Sequence, residues 1–123
     1  MSIEENMQLV RRFSGVFNER DLTVLDEVLA PDFVAHNGDT DIRGIDGWKT
    51  FVTESQRESS EIETGIDELI ANDNLVAERW RWRSVDRATG KPLVGHGITM
   101  HRVANGRLLE NWAVFQVDSD TSA

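Results

Sequence analysis

Hydrophobic positions change their spacing partway along the chain. Up to about residue 56 they recur every three or four residues, and beyond about residue 61 they alternate. Ile3, Met7, Val10, Phe13 and Phe17 predict an amphipathic helix over Ser2–Phe17. Ser2 and Glu5 stand at capping-box spacing at its start. Asn18–Arg20 is a short connection, and Asp21 caps a second helix with Leu22, Leu25, Val28 and Leu29 on one face. Ala30-Pro31 ends it, because a residue before proline is pushed out of the helical region. An extended Asp32–His36, a polar loop at 37–44, a third helix over Ile45–Gln56 and a charged loop at 57–61 follow.

Strands are expected from there on. Glu61–Ala71 is the first, and Asn72-Asp73-Asn74 turns the chain. In Leu75–Val85, Val76, Glu78, Trp80, Trp82 and Ser84 alternate with Ala77, Arg79, Arg81 and Arg83. The tryptophan face is expected to be buried and the arginine face solvated. Asp86–Pro92 is a turn. Gly95–Gln116 is then a hairpin, because Asn105-Gly106 supplies two residues that tolerate φ > 0 between alternating runs. Counting outward from that turn pairs Ala104 with Arg107, His101 with Glu110, Thr99 with Trp112 and Gly95 with Gln116. On this register Thr99, His101, Glu110, Trp112, Val114 and Gln116 share one face, either a cavity wall or a polar outer surface. Asp118–Ala123 is a polar tail.

Helices followed by antiparallel strands make an α+β pattern in one domain spanning 1–123, with its core at about 3–117. A curved sheet with three helices over its concave face leaves room for a pocket. At 123 residues the chain is long enough for one real core. The net charge of −9 argues against nucleic acid and against anionic membranes. Eleven of the thirteen basic residues are arginine, to which no function attaches. With no cysteine, thiol nucleophiles, disulfides and zinc–thiolate sites are excluded. The absence of a leader or a long apolar run makes a cytoplasmic protein the default expectation. The histidines show no chelating spacing, so no metal is expected, and no phosphate loop, nucleophile elbow or dinucleotide fingerprint occurs.

Two segments carry a resemblance. Leu29-Ala30-Pro31-Asp32-Phe33-Val34-Ala35-His36 is one. Asn105-Gly106-Arg107-Leu108-Leu109-Glu110-Asn111-Trp112, similar to a Gly-Lys-Ile-Val-Glu-His-Trp ending, is the other. With Thr89-Gly90-Lys91-Pro92 at a matching turn, residues 3–116 resemble the SnoaL-like polyketide cyclases. Those belong to the nuclear transport factor 2-like superfold, with ketosteroid isomerase and limonene epoxide hydrolase. The resemblance implies a cone-shaped α+β barrel with one apolar cavity, often dimeric through its sheet, and cofactor-free acid/base chemistry. In those cyclases an aspartate four residues after the motif tryptophan is the general acid/base, and here that position is Gln116. An amide cannot take a proton from carbon at neutral pH.

The expected site follows from both readings. His101 moves a proton with Glu110 orienting its ring, while His36 and Gln116 hydrogen-bond the developing oxyanion. Trp82, Trp112, Trp80, Trp48, Phe51, Thr99, Val114 and Asn37 form the substrate walls, with the tryptophans equally readable as plain core. His96 has the opposite parity to His101 and is expected to face away. The expected activity is cyclisation, isomerisation or hydration/dehydration of an apolar, carbonyl-bearing molecule without a cofactor, by a homodimer. The alternative is a non-catalytic binding module of the same fold.

Overall fold

A computed structural model describes residues 2–19 and 21–118. Most of the expected tail, and Arg20 of the expected connection, therefore lie outside the described residues. Helix α1 (Ile3–Ser14) begins with the capping box in place: the Glu5 N–H donates to Ser2 Oγ and the Ser2 N–H to Glu5 Oε1, both at 3.0 Å. Gly15 breaks it, and α2 (Val16–Glu19) continues as a single turn. After α3 (Val24–Val28) come β1 (Leu29–Asn37), β2 (Thr40–Arg43), α4 (Gly44–Glu58) and the strands β3 (Ser59–Ala71), β4 (Leu75–Asp86), β5 (Pro92–Ala104) and β6 (Arg107–Val117).

Two expected loops are structured. Residues 37–44 contain β2, which turns back on β1 through Gly38 at φ 66°. Residues 57–61 hold no loop: the Arg57 guanidinium donates to Glu54 at 2.8 Å across the last turn of α4, and β3 starts directly at Ser59. Polar composition marked these stretches as loops, but local pairing gives each a partner.

The six strands form one sheet in the order β2-β1-β6-β5-β4-β3. Every neighbouring pair is antiparallel except β1 and β6, which run parallel. The architecture is the expected α+β one, with this single parallel pair as the departure. The core lies between the helices and the inner face of the sheet. Val10 and Phe13 of α1, Leu25 and Val28 of α3, and Val52 of α4 meet Phe33, Val76 and Leu108 there. Among the described residues, no helix is long and apolar enough to cross a membrane.

The Asn105-Gly106 turn forms as its sequence dictates, with φ 53° and 73°, and Ala104 pairs with Arg107. Beyond Val103–Leu108 the register shifts by one: Leu109 is left without an opposite residue and Arg102 pairs with Glu110. One extra residue on one strand is a β-bulge, and a slip of one residue moves every later side chain to the other face. The expected mixed face is therefore split. Thr99 and His101 stay on the inner face, while Glu110, Trp112, Val114 and Gln116 turn outward and Asn111 and Phe115 turn in.

Candidate functional site

Between the helices and the far half of the sheet lies a cavity of about 650 Å³. Helix α4 presents Trp48, Phe51, Ser55 and Glu58 to it, at three- and four-residue steps along one face. Facing them across the cavity are Trp80, Trp82 and Phe115 on β4 and β6. Phe13 and Phe17 join from the first two helices, and Asn37 from the end of β1.

The wall on β4 depends on missing side chains. In the β4–β5 register Trp80 stands opposite Gly97 and Trp82 opposite Gly95. A Cβ at Gly97 would lie 2.6 Å from Trp80 Cζ2 and 2.7 Å from the Val114 carbonyl oxygen, and one at Gly95 would overlap the Trp82 ring. The indoles can lie against the strand only because both positions are glycine. Next along, Trp80 Nε1 donates to Thr99 Oγ1 at 2.8 Å. Thr99 thus holds a wall residue from behind instead of lining the cavity itself.

Buried in the cavity wall is the carboxylate of Glu78. It lines the cavity yet is only 4% exposed. His101, fully buried behind it, places Nε2 2.6 Å from Glu78 Oε1. Ser14 Oγ lies 3.1 Å from Oε2 and 3.3 Å from Oε1, and donates to the same carboxylate. The Asn111 amide nitrogen faces His101 Nδ1 in a longer contact of 3.5 Å. A donor at Nδ1 makes that nitrogen an acceptor, which assigns the ring proton to Nε2, where it donates to Glu78. The carboxylate thus has His101 and Ser14 behind it and the cavity in front.

This arrangement corrects the expected pairing. His101 is oriented by a carboxylate, but by Glu78 on β4 and not by Glu110. Sequence alternation had already put Glu78 on the buried tryptophan face. A carboxylate in the middle of an apolar strand face was the available signal, since a buried charge needs partners. Phe115 was missed for a different reason: the register counted without the bulge turns it outward.

Glu110, His36 and Trp112 do meet, but on the outer side of the sheet. His36 Nε2 lies 2.6 Å from Glu110 Oε2 and Nδ1 lies 2.8 Å from Asp41 Oδ1. The Trp112 ring stacks on the imidazole at 5.6 Å and 20°, and the Arg102 guanidinium lies over that indole at 5.5 Å. With an acceptor at each nitrogen the imidazole binds its second proton more readily. The hydrogen bonds to Glu110 and then Asp41 raise its pKa above the ordinary 6.5. Val114 and Gln116 are also exposed on this outer face. Of the expected wall residues, Trp48, Phe51, Trp80, Trp82 and Asn37 line the cavity, and Trp112 and Val114 do not. His96 faces away, as its parity predicts, with Nδ1 2.7 Å from Asp118. Among the described residues no group of three or more histidines and carboxylates is placed to hold a metal ion.

Comparison with known proteins adds three findings. The family model described as a SnoaL-like domain matches residues 10–111. Among solved structures, IdmH of Streptomyces antibioticus, a proposed polyketide cyclase, is 26% identical with a TM-score of 0.78, over 89% of this chain and 91% of that one. TsrD of Streptomyces laurentii is 19% identical with a TM-score of 0.83, over 96% and 91%. An NTF2-like protein of unknown function from Burkholderia pseudomallei is 24% identical with a TM-score of 0.82, over 94% and 92%. No curated protein matches the chain in sequence.

Proposed function

The chain belongs to the SnoaL-like family, and from that premise we propose that it is a small cofactor-independent enzyme doing acid/base chemistry on an apolar, carbonyl-bearing molecule. The observation that carries the proposal is Glu78: a buried carboxylate at the wall of an aromatic cavity, its back held by His101 and Ser14 and its front free. The fold alone would not carry it, since one superfold hosts many functions.

In this reading Glu78 is the base. It takes a proton from carbon next to the substrate carbonyl, and the C–H electron pair becomes the new C=C bond of the enolate as the carbonyl π pair moves onto oxygen. His101 Nε2–H and the Ser14 hydroxyl keep the carboxylate pointed before the transfer, and its protonated form returns the proton to carbon or oxygen of the product. Return to another carbon is an isomerisation. Attack of the enolate on a second carbonyl within the molecule, followed by protonation of the resulting alkoxide, is a ring closure. Loss of hydroxide from a β-hydroxy ketone, which leaves as water after protonation by the same acid, is a dehydration. Trp80, Trp82 and Phe115 supply a flat wall suited to ring systems.

The test begins with thermal shift of the protein against a panel of apolar ketones, lactones and steroids. Compounds that stabilise it are then assayed for conversion. Glu78→Gln retains an oxygen to accept from His101 and should fold, while turnover falls by about 10²–10⁴-fold. Wild-type turnover in that variant sinks the assignment. Stabilisation by ligands with no conversion of any of them supports the binding-module reading instead.

The same proposal includes a homodimer formed through the outer sheet face. Ile98 pairs with Val114 and Met100 with Trp112 there, and these side chains are 38–71% exposed. A contiguous apolar patch of this kind, absent from most of a soluble surface, favours a partner.

A further inference from the structure

The cavity face of β4 is polar at both ends and aromatic between them. Its inward positions run Glu78, Trp80, Trp82 and Ser84, and all four border the cavity. Glu78 to Ser84 is a step of six residues, about 20 Å of strand. At the far end Ser84 pairs across to Leu93 of β5, and Ile62 lies in the β3 bulge on its other side. Both of these neighbours are apolar and both also line the cavity.

Ser84 is 6% exposed, and what it shows faces the cavity. Three other hydroxyls of the wall are engaged within the protein. Ser14 donates to Glu78, Ser55 to the Phe51 carbonyl and Thr64 to the Ser14 carbonyl. The Ser84 hydroxyl has no such partner among the described residues. A buried hydroxyl is ordinarily hydrogen-bonded, so the partner of this one has to come from the cavity. An apolar residue would serve as well there if packing were all that the position required.

We propose that Ser84 is a second polar subsite of the cavity, holding a neutral oxygen at the end of the ligand remote from Glu78. That Glu78 takes the reacting end rests on the acid/base reading of the cavity. The ligand is then an elongated flat molecule with an oxygen at each end and its rings along Trp80 and Trp82. A serine hydroxyl both donates and accepts, so it serves a hydroxyl or a carbonyl. Glu58 lines the cavity just before Ser59, which pairs with Asp86 two residues past Ser84. A carboxylate at this end disfavours an anionic terminus and leaves the neutral groups. Unlike ends also orient the ligand, so Ser84 selects which end of the molecule meets Glu78.

The probes are 2-hydroxyanthracene and 2,6-dihydroxyanthracene, the same flat bar of rings with an oxygen at one end or at both. Each is titrated into the full chain, and binding is measured by calorimetry. Wild type should bind the diol about fivefold more tightly than the mono-ol, the gain expected for one hydrogen bond. Ser84→Ala removes one oxygen atom from the wall. It should weaken diol binding about fivefold and leave the mono-ol, whose single hydroxyl goes to Glu78, unchanged. A diol affinity that Ser84→Ala does not alter overturns the inference and leaves the cavity reading standing. Equal binding of the two compounds by wild type does the same. If neither compound binds, the cavity reading falls and the subsite with it. The wild-type comparison decides the matter even if the alanine variant folds poorly.

Discussion

The two histidine–carboxylate pairs of this molecule are alike in contact length and opposite in setting. His101 and Glu78 meet at 2.6 Å in the interior, with neither side chain more than 4% exposed. His36 and Glu110 meet at the same distance on the outer face, with about a third or less of each side chain exposed. Water screens the outer pair, and a second carboxylate, Asp41, bonds the other ring nitrogen. The outer histidine titrates with a stability signature. Its folded pKa is raised above the unfolded value near 6.5. Its contribution is thus fully present below about pH 6.5 and is lost as pH rises through the folded value. Urea titrations of wild type and His36→Asn should differ most below about pH 6.5 and converge as pH rises through the raised folded value. A gap that widens with pH would contradict the assignment of both carboxylates as acceptors.

Strand β5 shows how an element can be specified by what it lacks. Its inward positions run Gly95, Gly97, Thr99, His101: two bare positions under the indoles, a hydroxyl for one of them, then the imidazole behind Glu78. Each inward residue serves a residue of β4, so the strand acts as backing for its neighbour. Gly97→Ala places a methyl against the Val114 carbonyl oxygen, which belongs to the backbone and cannot swing away. Overpacking of this kind costs about 1–3 kcal/mol. The midpoint of urea unfolding should fall, with the denaturant slope unchanged, and the cavity should narrow as Trp80 is pushed into it. An unchanged midpoint would mean the β4–β5 pair gives more readily than its glycines imply.

The same hairpin shows what a sequence can and cannot disclose. Asn105-Gly106 announces its own turn, because few other residue pairs accept both left-handed conformations. The bulge at Leu109 has no such marker. Leu108 and Leu109 are both apolar, and which of them is spare depends on packing: Leu108 is fully buried against the core while Leu109 is not. Two adjacent leucines interrupting a clean alternation were the only hint. Everything downstream of that one residue was assigned to the wrong face, Glu110 and Gln116 included, although the strand itself was placed correctly. The cavity-wall tryptophans of β4 were legible because no bulge separates them from one another in their pairing with β5.

At the scale of the whole molecule, the two faces of the sheet do different work. The inner face is covered by helices and encloses the cavity. Outside, Arg79, Arg81 and Arg83 of β4 pair with Asp67, Glu68 and Glu63 of β3, exposed ion pairs worth about 0–1 kcal/mol each. They keep that half of the surface wet, as expected of the arginine face. The half around Ile98, Met100, Trp112 and Val114 is apolar. If that half is the dimer contact, Val114→Asp should convert a sedimenting dimer into a monomer while the cavity's ligand binding persists. A wild-type chain that sediments as a monomer at tens of micromolar would exclude it.

The parallel pairing of β1 with β6 has a further consequence for the order of events in folding. Strands β3 to β6 form by successive hairpins, each closing against the one before it. Strand β1 is made early, yet its neighbour spans residues 107–117, so its edge stays open until nearly all the described chain exists. Contacts of such long separation are slow to form and leave unpaired strand edges exposed meanwhile. The β1–β2 hairpin and α4, which leans on it, are thus the last part of the sheet to be locked. During synthesis this segment is the one in need of protection from other chains.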